Sequence, residues 1–171
     1  ETLRSLIADL TELREADAVE SDFIDLGDRK FVAVEPVIRD LRTSWWGFDD
    51  KTRTLFPGDG FAYSHYHWDG HCGLVAEEAK SLDLVDVSAV FAERALYWTT
   101  MVDMRIYVDR MAEVMEKLKV KVVAPTHGLP VTDLATTFPK IREGLLAGEG
   151  TYDMTIQDGT KSVIDEYTPR A

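Results

Sequence analysis

The sequence contains a single cysteine, Cys72, among its 171 residues. One thiol cannot form a disulfide within the chain, so the composition argues against a secreted fold that depends on disulfides. The sequence also lacks an apolar run of the ~18 residues needed to span a membrane, and it lacks a charged and then apolar leader. We therefore expect a cytoplasmic protein that makes no membrane contact.

Basic residues are scarce: 19 Lys and Arg stand against 31 Asp and Glu, which gives a formal net charge of −12. This charge repels phosphate backbones and anionic lipid surfaces at long range, so it disfavours nucleic acid and membranes as partners. Hydrophobic residues make up 45% of the chain, which is enough for one compact core. We therefore predict a single domain over residues 1–171, with an edge strand or a tail at 151–171.

The first part of the chain predicts one helix and then two hairpins. Apolar residues recur at helical spacing over residues 2–15. The stretch 23–36 is typical of a hairpin, because a turn at Gly27 joins two short apolar stretches. The stretch 43–60 predicts another pair of strands. Asp59 would then lie just beyond the end of a strand.

The second part predicts long helices around one strand. An apolar face at helical spacing indicates a helix that ends near Leu118. The nearly continuous apolar run 120–125 is typical of a strand that is buried on both faces. Thr132 or Asp133 would cap a further helix over residues 134–146. The whole pattern predicts a mixed α/β fold.

Asp59 and His127 are expected to occupy similar places in this fold. Each lies in a glycine-containing loop directly after a strand, where side chains can converge on a ligand. Carboxylate and imidazole groups both bind zinc and iron. Taken alone, Asp59 has the simpler explanation of a turn residue and His127 that of a loop histidine. Taken together, they predict part of a metal site.

Three short stretches resemble the second half of a metallo-β-lactamase fold: "RTLFPGDGF" (53–61), "ALYWTT" (95–100) and "KVVAPTHG" (121–128). The sequence is most similar to the flavodiiron and oxygen-binding diiron branch of that family, over roughly residues 22–130. The resemblance implies an α/β fold that forms half of an αβ/βα sandwich. It also implies a dinuclear metal centre.

By this resemblance, Asp59 matches the bridging carboxylate of the family and His127 matches its last histidine ligand. The middle histidine of the family has no counterpart here, and Asp40 lies at roughly that place. An oxygen ligand there would suit iron or manganese and is acceptable to zinc. A surface ion pair with Arg39 or Arg42 is the alternative explanation for Asp40. The resemblance thus implies two divalent metal ions, zinc or iron, held by Asp59, His127 and Asp40.

The H-x-H-x-D-H signature of the family belongs to the first half of its fold and is not found before the first hairpin. We expect a partner chain to supply it, which would make the protein a hetero-oligomer. The alternative is that "HYHWDGH" (65–71) is the signature, but an inserted glycine separates Asp69 from the last histidine. The resemblance also implies that the loop of His65 and His67 lies beside the metals, where these catalytic residues would contact substrate or transfer a proton. The alternative is that both are ordinary loop histidines.

These features predict a subunit of a dinuclear-metal hydrolase that acts on a small-molecule substrate and is active only with its partner chain. Metal-bound hydroxide would attack an electrophilic carbon in an ester, a lactone or an activated aryl ether. One alternative is a diiron protein that binds or reduces oxygen or nitric oxide. The other is a metal-free half that completes the fold of its partner.

Overall fold

The computed structural model describes residues 23–65, 74–79 and 82–148. The predicted helix at 2–15 and the predicted edge strand or tail at 151–171 lie outside these residues. The described strands are β1 Phe23–Asp25, β2 Lys30–Val34, β3 Trp46–Asp49, β4 Thr54–Phe56 and β5 Val122–Val123. The α-helices are α1 Leu84–Ala95, α2 Met104–Leu118 and α3 Leu134–Ala147, and short 3₁₀ helices lie at Gly58–Phe61, Ala76–Glu78 and Tyr97–Met101.

The strands form one five-stranded sheet in the order β1-β2-β3-β4-β5. The first four strands are antiparallel neighbours, which confirms both predicted hairpins. β5 joins β4 in parallel, with Leu55 opposite Val123. A parallel neighbour needs a long crossover, and the chain between β4 and β5 provides it with α1 and α2.

The prediction for residues 120–125 was wrong in extent and in burial. The strand there is only Val122–Val123, and Val122 is half-buried while Val123 is fully buried. Beyond β5 the described sheet continues only as an isolated bridge between Val123 and Val131. The strand is therefore fully covered on one face of the sheet and only partly covered on the other.

The two faces of the sheet differ in burial. Register places Phe48, Leu55 and Val123 side by side on one face, and each is at most 2% exposed. This face packs on the helices, whose apolar residues Val108 and Ile141 are also fully buried. We call it the helix face. The opposite face carries Phe31 and Phe56, and Phe56 is 40% exposed.

The helices begin where the sequence supplies a cap. Asp133 accepts a hydrogen bond from the Thr136 N–H, which confirms that α3 begins after Asp133. The α1 and α3 helices pack very closely, because a Cβ at Gly144 would lie 2.5 Å from the carbonyl oxygen of Val85. The predicted end of α2 at Leu118 is also confirmed. Among the described residues, none of the helices combines the length and the apolar character needed to cross a membrane.

Glu77 joins the segment 74–79 to the start of α3. Its carboxylate accepts hydrogen bonds from the N–H groups of Thr132 (3.1 Å) and Asp133 (2.9 Å) and from the Thr137 hydroxyl (3.0 Å). Partial burial raises the pKa of Glu77, but the hydrogen bonds outweigh it and hold that pKa below its usual 4.5. The ionised form of Glu77 therefore stabilises the fold.

Replacing Glu77 with Gln should lower the free energy of unfolding by about 1–3 kcal/mol at neutral pH, because an amide has only one acceptor oxygen. A lowered folded-state pKa stabilises above the unfolded value of 4.5, and this stabilisation is lost as the pH falls through the folded value. Urea unfolding should therefore show a difference in the free energy of unfolding between the parent protein and the Glu77→Gln variant that shrinks in acid. Glu93→Gln, at an exposed position of α1, is the control. An equal loss in both variants would contradict the role of Glu77.

Candidate metal centre

Asp59 lies where the chain leaves β4, in the first turn of the 3₁₀ helix Gly58–Phe61. Gly58 has a φ of +55°, a conformation that glycine adopts without strain, so the chain turns sharply before the aspartate. The residues that follow, Phe61 and Tyr63, are fully buried. The Asp59 side chain is only 18% exposed, because the turn is drawn against the core on both sides.

The loop that carries His127 is bonded directly to this turn. The Thr126 N–H donates to the carbonyl of Gly58 (3.0 Å), and the Tyr63 N–H donates to the carbonyl of His127 (3.4 Å). The buried Tyr63 hydroxyl also accepts from the Leu129 N–H (2.8 Å) and lies 3.2 Å from the Leu129 carbonyl, to which it donates. The two strand-end loops are thus held as one unit.

Two neighbours determine where His127 can place its ring. Gly128 has a φ of +99°, and a Cβ there would lie 2.6 Å from the ring of Tyr63, so only glycine fits after the histidine. On its other side the imidazole packs against Phe91 of α1, with ring centroids 5.4 Å apart. No sequence pattern indicated that Phe91 and Tyr63 would contribute to the site, because both have the pattern of ordinary core residues.

The resulting pair has a definite geometry. His127 Nε2 lies 3.9 Å from Asp59 Oδ1, which is too long for a hydrogen bond. The His127 side chain is 59% exposed, so the pair faces solvent on the histidine side and the core on the aspartate side. Two ligands that share one tetrahedral metal ion at ~2.1 Å lie about 3.4 Å apart. A small side-chain rotation would therefore place both atoms on one ion.

The electrostatics of Asp59 favour a nearby cation. Burial raises the pKa of the Asp59 carboxyl above its usual 3.8, the nearby His127 lowers it, and the negative charge of Asp40 raises it further. The net direction is upward, which means that the ionised carboxylate is poorly compensated by the protein itself. A divalent cation at this position would supply the missing compensation.

Asp40 lies in the loop between β2 and β3 and is exposed. Its place is fixed through its neighbour, since the Trp98 indole N–H donates to the carbonyl of Arg39 (2.9 Å). The Arg39 guanidinium is paired with Glu35. Within the described part of the chain, no ion pair includes Asp40. The surface ion pair that offered a simple explanation for Asp40 is therefore not seen there.

The histidine-rich stretch is described only at its start. His65 is half-buried and follows Ser64, whose N–H donates to the carbonyl of Val87 (3.1 Å). This bond anchors the stretch to α1. His67 and Asp69 lie outside the described residues, so the catalytic role of His65 and His67 and the alternative ligand role of the stretch both stay predictions.

The donor chemistry at this place fits a metal ion but is incomplete. An imidazole and a carboxylate come together, and a second carboxylate acts on the first through its charge. Among residues 23–65, 74–79 and 82–148, no three His, Cys, Asp or Glu side chains converge closely enough to hold an ion by themselves. The assignment of Asp59, His127 and Asp40 as ligands thus stays a prediction, with the first two brought together by the fold.

Comparison with solved structures relates this architecture to flavodiiron proteins. The flavodiiron protein of Giardia intestinalis matches with a TM-score of 0.55 at 16% identity, over 83% of this chain and 34% of that one. Rubredoxin oxygen:oxidoreductase of Desulfovibrio gigas matches with a TM-score of 0.53 at 11% identity, over 86% and 36% of the two chains. The chain has part of a metallo-β-lactamase-like flavodiiron fold. This confirms the predicted fold class.

These similarities concern the fold of the chain and do not extend to its activity. A flavoprotein of Thermotoga maritima matches with a TM-score of 0.51 at 16% identity, over 80% of this chain and 32% of that one. The chain therefore spans about a third of the length of these structures. No protein-family model matches the sequence, and a search of curated proteins found no match. Completion of the fold by a partner chain stays a prediction.

Without metal, Asp59→Asn should melt at a higher temperature than the parent protein at neutral pH. A raised folded-state pKa favours the fold below the unfolded value of 3.8, and this contribution is lost as the pH rises through the folded value. The variant has a neutral amide in place of the carboxyl group, so it does not lose this stability as the pH rises. Its advantage in melting temperature over the parent protein should therefore vanish in acid. Thermal unfolding with a chelator present measures it, and Glu116→Gln, at an exposed position of α2, is the control. A variant that melts below the parent at neutral pH would contradict this account.

Proposed function

We propose that this chain supplies Asp59 and His127 to a dinuclear metal centre of the diiron type, which a partner chain completes. The observation that carries the proposal is the meeting of these side chains, 3.9 Å apart, on two loops that hydrogen bonds hold together. Such a site can accept a cation without rearranging the backbone. The flavodiiron fold of the matched structures adds support for the class of metal centre.

The proposed metal is iron. Two carboxylates, Asp59 and Asp40, are near enough for the charge of one to raise the pKa of the other. A site with hard oxygen donors suits iron and manganese better than a site built from histidines alone. Bound iron would supply a redox centre that binds oxygen or nitric oxide and passes to it electrons from a separate reductant, whereas bound zinc would supply Lewis acidity.

The residues of this chain would each have a separate task. Asp59 is partly withdrawn from water, so its carboxylate would attract a cation more strongly than a fully solvated carboxylate. His127 offers its Nε2 atom in an orientation that Phe91 and Gly128 fix. Asp40 adds negative charge from the neighbouring loop, at a place that Trp98 maintains. His65 would contact the substrate or move a proton.

Hydrolysis of a small ester, lactone or activated aryl ether is the second candidate. It would use the same ligands, and the exposure of the His127 side chain, 59%, favours it because water can reach the pair. The flavodiiron neighbours favour the redox candidate over it. A metal-free half that completes the fold of a partner is the third candidate, and the poorly compensated charge of Asp59 argues against it.

Replacing Asp59 or His127 with Ala should lower the metal affinity of the purified assembly by at least about tenfold, because each change removes one ligand. The fold should survive, since neither side chain belongs to the hydrophobic core. Metal content by mass spectrometry and circular dichroism measure the two effects. His65→Ala is the matched control, and it should lower turnover more than metal content. Full metal content in both ligand variants would overturn the assignment.

The identity of the metal separates the candidates. We expect the assembly, purified without added metal, to contain iron and to absorb visible light through a charge-transfer band. Zinc with no visible band would favour hydrolysis. If the assembly is folded but contains neither metal, and if adding either ion brings no gain in activity, the result would favour the metal-free role. Elemental analysis together with an absorption spectrum makes the distinction.

A further inference from the structure

The indole of Trp46 is a buried polar group without a partner in the described part of the chain. Trp46 lies in β3 on the helix face, two positions before Phe48, and it is 1% exposed. Its buried Nε1 atom has no hydrogen-bond partner among the described residues. By contrast, the Trp98 N–H donates to the carbonyl of Arg39 at 2.9 Å. A buried donor without an acceptor lowers stability, so the Trp46 N–H calls for an explanation.

The edge of the indole that carries this N–H faces the turn of Asp59. A Cβ at Gly60 would lie 2.6 Å from Cζ2 of Trp46 and 3.1 Å from its Nε1. Because Gly60 has no Cβ, the turn can lie directly against this edge of the ring. Phe61 packs on the same indole edge to face, with centroids 6.4 Å apart. These two contacts fix the Asp59 turn relative to the Trp46 N–H.

The Asp59 carboxylate is an acceptor of this turn that is not yet used. The backbone carbonyls of residues 57–59 already accept N–H groups. Within the described residues no hydrogen bond reaches the carboxylate, and His127 Nε2 lies 3.9 Å from its Oδ1, which is too long for one. The side chain is only 18% exposed, so water has limited access to it. A buried donor and a partly buried acceptor thus lie at the same turn, both without a partner.

We propose that Trp46 is a positioning residue for the metal centre, whose N–H donates to the Asp59 carboxylate when that side chain turns towards an ion shared with His127. This inference rests on the proposed function. The turn towards the ion is a side-chain rotation, so the backbone of the turn stays against the indole. An ionised carboxylate has about four acceptor sites, so it can bind an ion and accept this bond together. Hydrogen bonds of this kind orient the ligands of metal sites.

Removal of the N–H alone tests the bond. Benzothienylalanine in place of Trp46 keeps the shape of the ring and carries sulfur where the indole has its N–H. In the purified assembly, we expect this change to lower the affinity for Zn²⁺ by about tenfold, as measured by competition with a chelating dye. Zinc is the probe because it has no redox chemistry. Unchanged zinc affinity would overturn the inference.

The melting temperature of the metal-free assembly supplies a control. The replacement at Trp46 should not lower it, because the donor that is removed has no partner there. The same replacement at Trp98 should lower it, because that N–H is already bonded. A fall at Trp46 as large as that at Trp98 would show that the Trp46 N–H is bonded without metal, and it would overturn the inference.

A double-mutant cycle tests whether Trp46 acts through Asp59. Asp59→Ala removes the acceptor, so in this background the Trp46 replacement should lower the zinc affinity no further. An equal loss in both backgrounds would show that the ring merely supports the turn, and it would overturn the positioning role.

NMR observes the donor directly. Isotopically labelled tryptophan in this chain gives one indole signal for each of its four tryptophans, and the Trp46 replacement identifies the signal of that residue. Addition of Zn²⁺ to the chelator-treated assembly should move the Trp46 N–H proton signal downfield, as expected for a new bond to a carboxylate. In Asp59→Ala the same addition should leave this signal in place. No shift in the parent protein, or the same shift in both proteins, would overturn the inference.

The measurements separate this inference from the proposed function. Full zinc affinity in Asp59→Ala would overturn the proposed function and this inference with it. Reduced zinc affinity in Asp59→Ala, together with full affinity in the Trp46 replacement, would overturn this inference alone and leave the metal centre standing.

Discussion

The candidate site depends on the bonding between two loops that are far apart in sequence. The Thr126 N–H reaches Gly58, and the Tyr63 side chain bonds to both backbone groups of Leu129. These contacts follow from the parallel pairing of β4 and β5, which delivers the two loops to the same end of the sheet. Asp59 and His127 are neighbours because of this pairing and not because of any interaction of their own. A buried tyrosine that satisfies both of its hydrogen-bonding capacities is a rigid way to hold such loops.

The site is held in a state that is unfavourable for the chain alone. An ionised carboxylate has been drawn partly out of water near a second carboxylate, and the imidazole beside it lies beyond hydrogen-bonding distance. Functional sites often have such locally unfavourable free energies, which the rest of the fold offsets. Here the offset comes from well-packed neighbours, among them Trp46 and Phe61, which are at most 1% exposed and meet edge to face below the turn. A cation would relieve the cost and stabilise the fold at the same time.

The two faces of the sheet differ in their cover. The helix face packs on α1, α2 and α3, whereas the other face carries the rings of Phe31 and Phe56, 5.7 Å apart. The Phe31 ring lies over Gly47, where a Cβ would come within 2.2 Å of it, so the glycine permits this close packing. Among the described residues, the end of the sheet that carries Asp59 and His127 brings together too few His, Cys, Asp and Glu side chains to hold a metal ion by themselves.

The sequence by itself determined most of the elements and singled out Asp59 and His127, the two side chains that the fold brings together. Gly27 marked the first hairpin, Asp133 marked the start of α3, and the glycines beside Asp59 and His127 marked loops at strand ends, because turn and cap chemistry is local. Only the tertiary structure decided that Phe91 packs on His127, that Trp98 holds the Asp40 loop, and that β5 is fully buried on one face only. Those features arise from contacts between residues far apart in the chain, and no local pattern records which apolar residue will meet which.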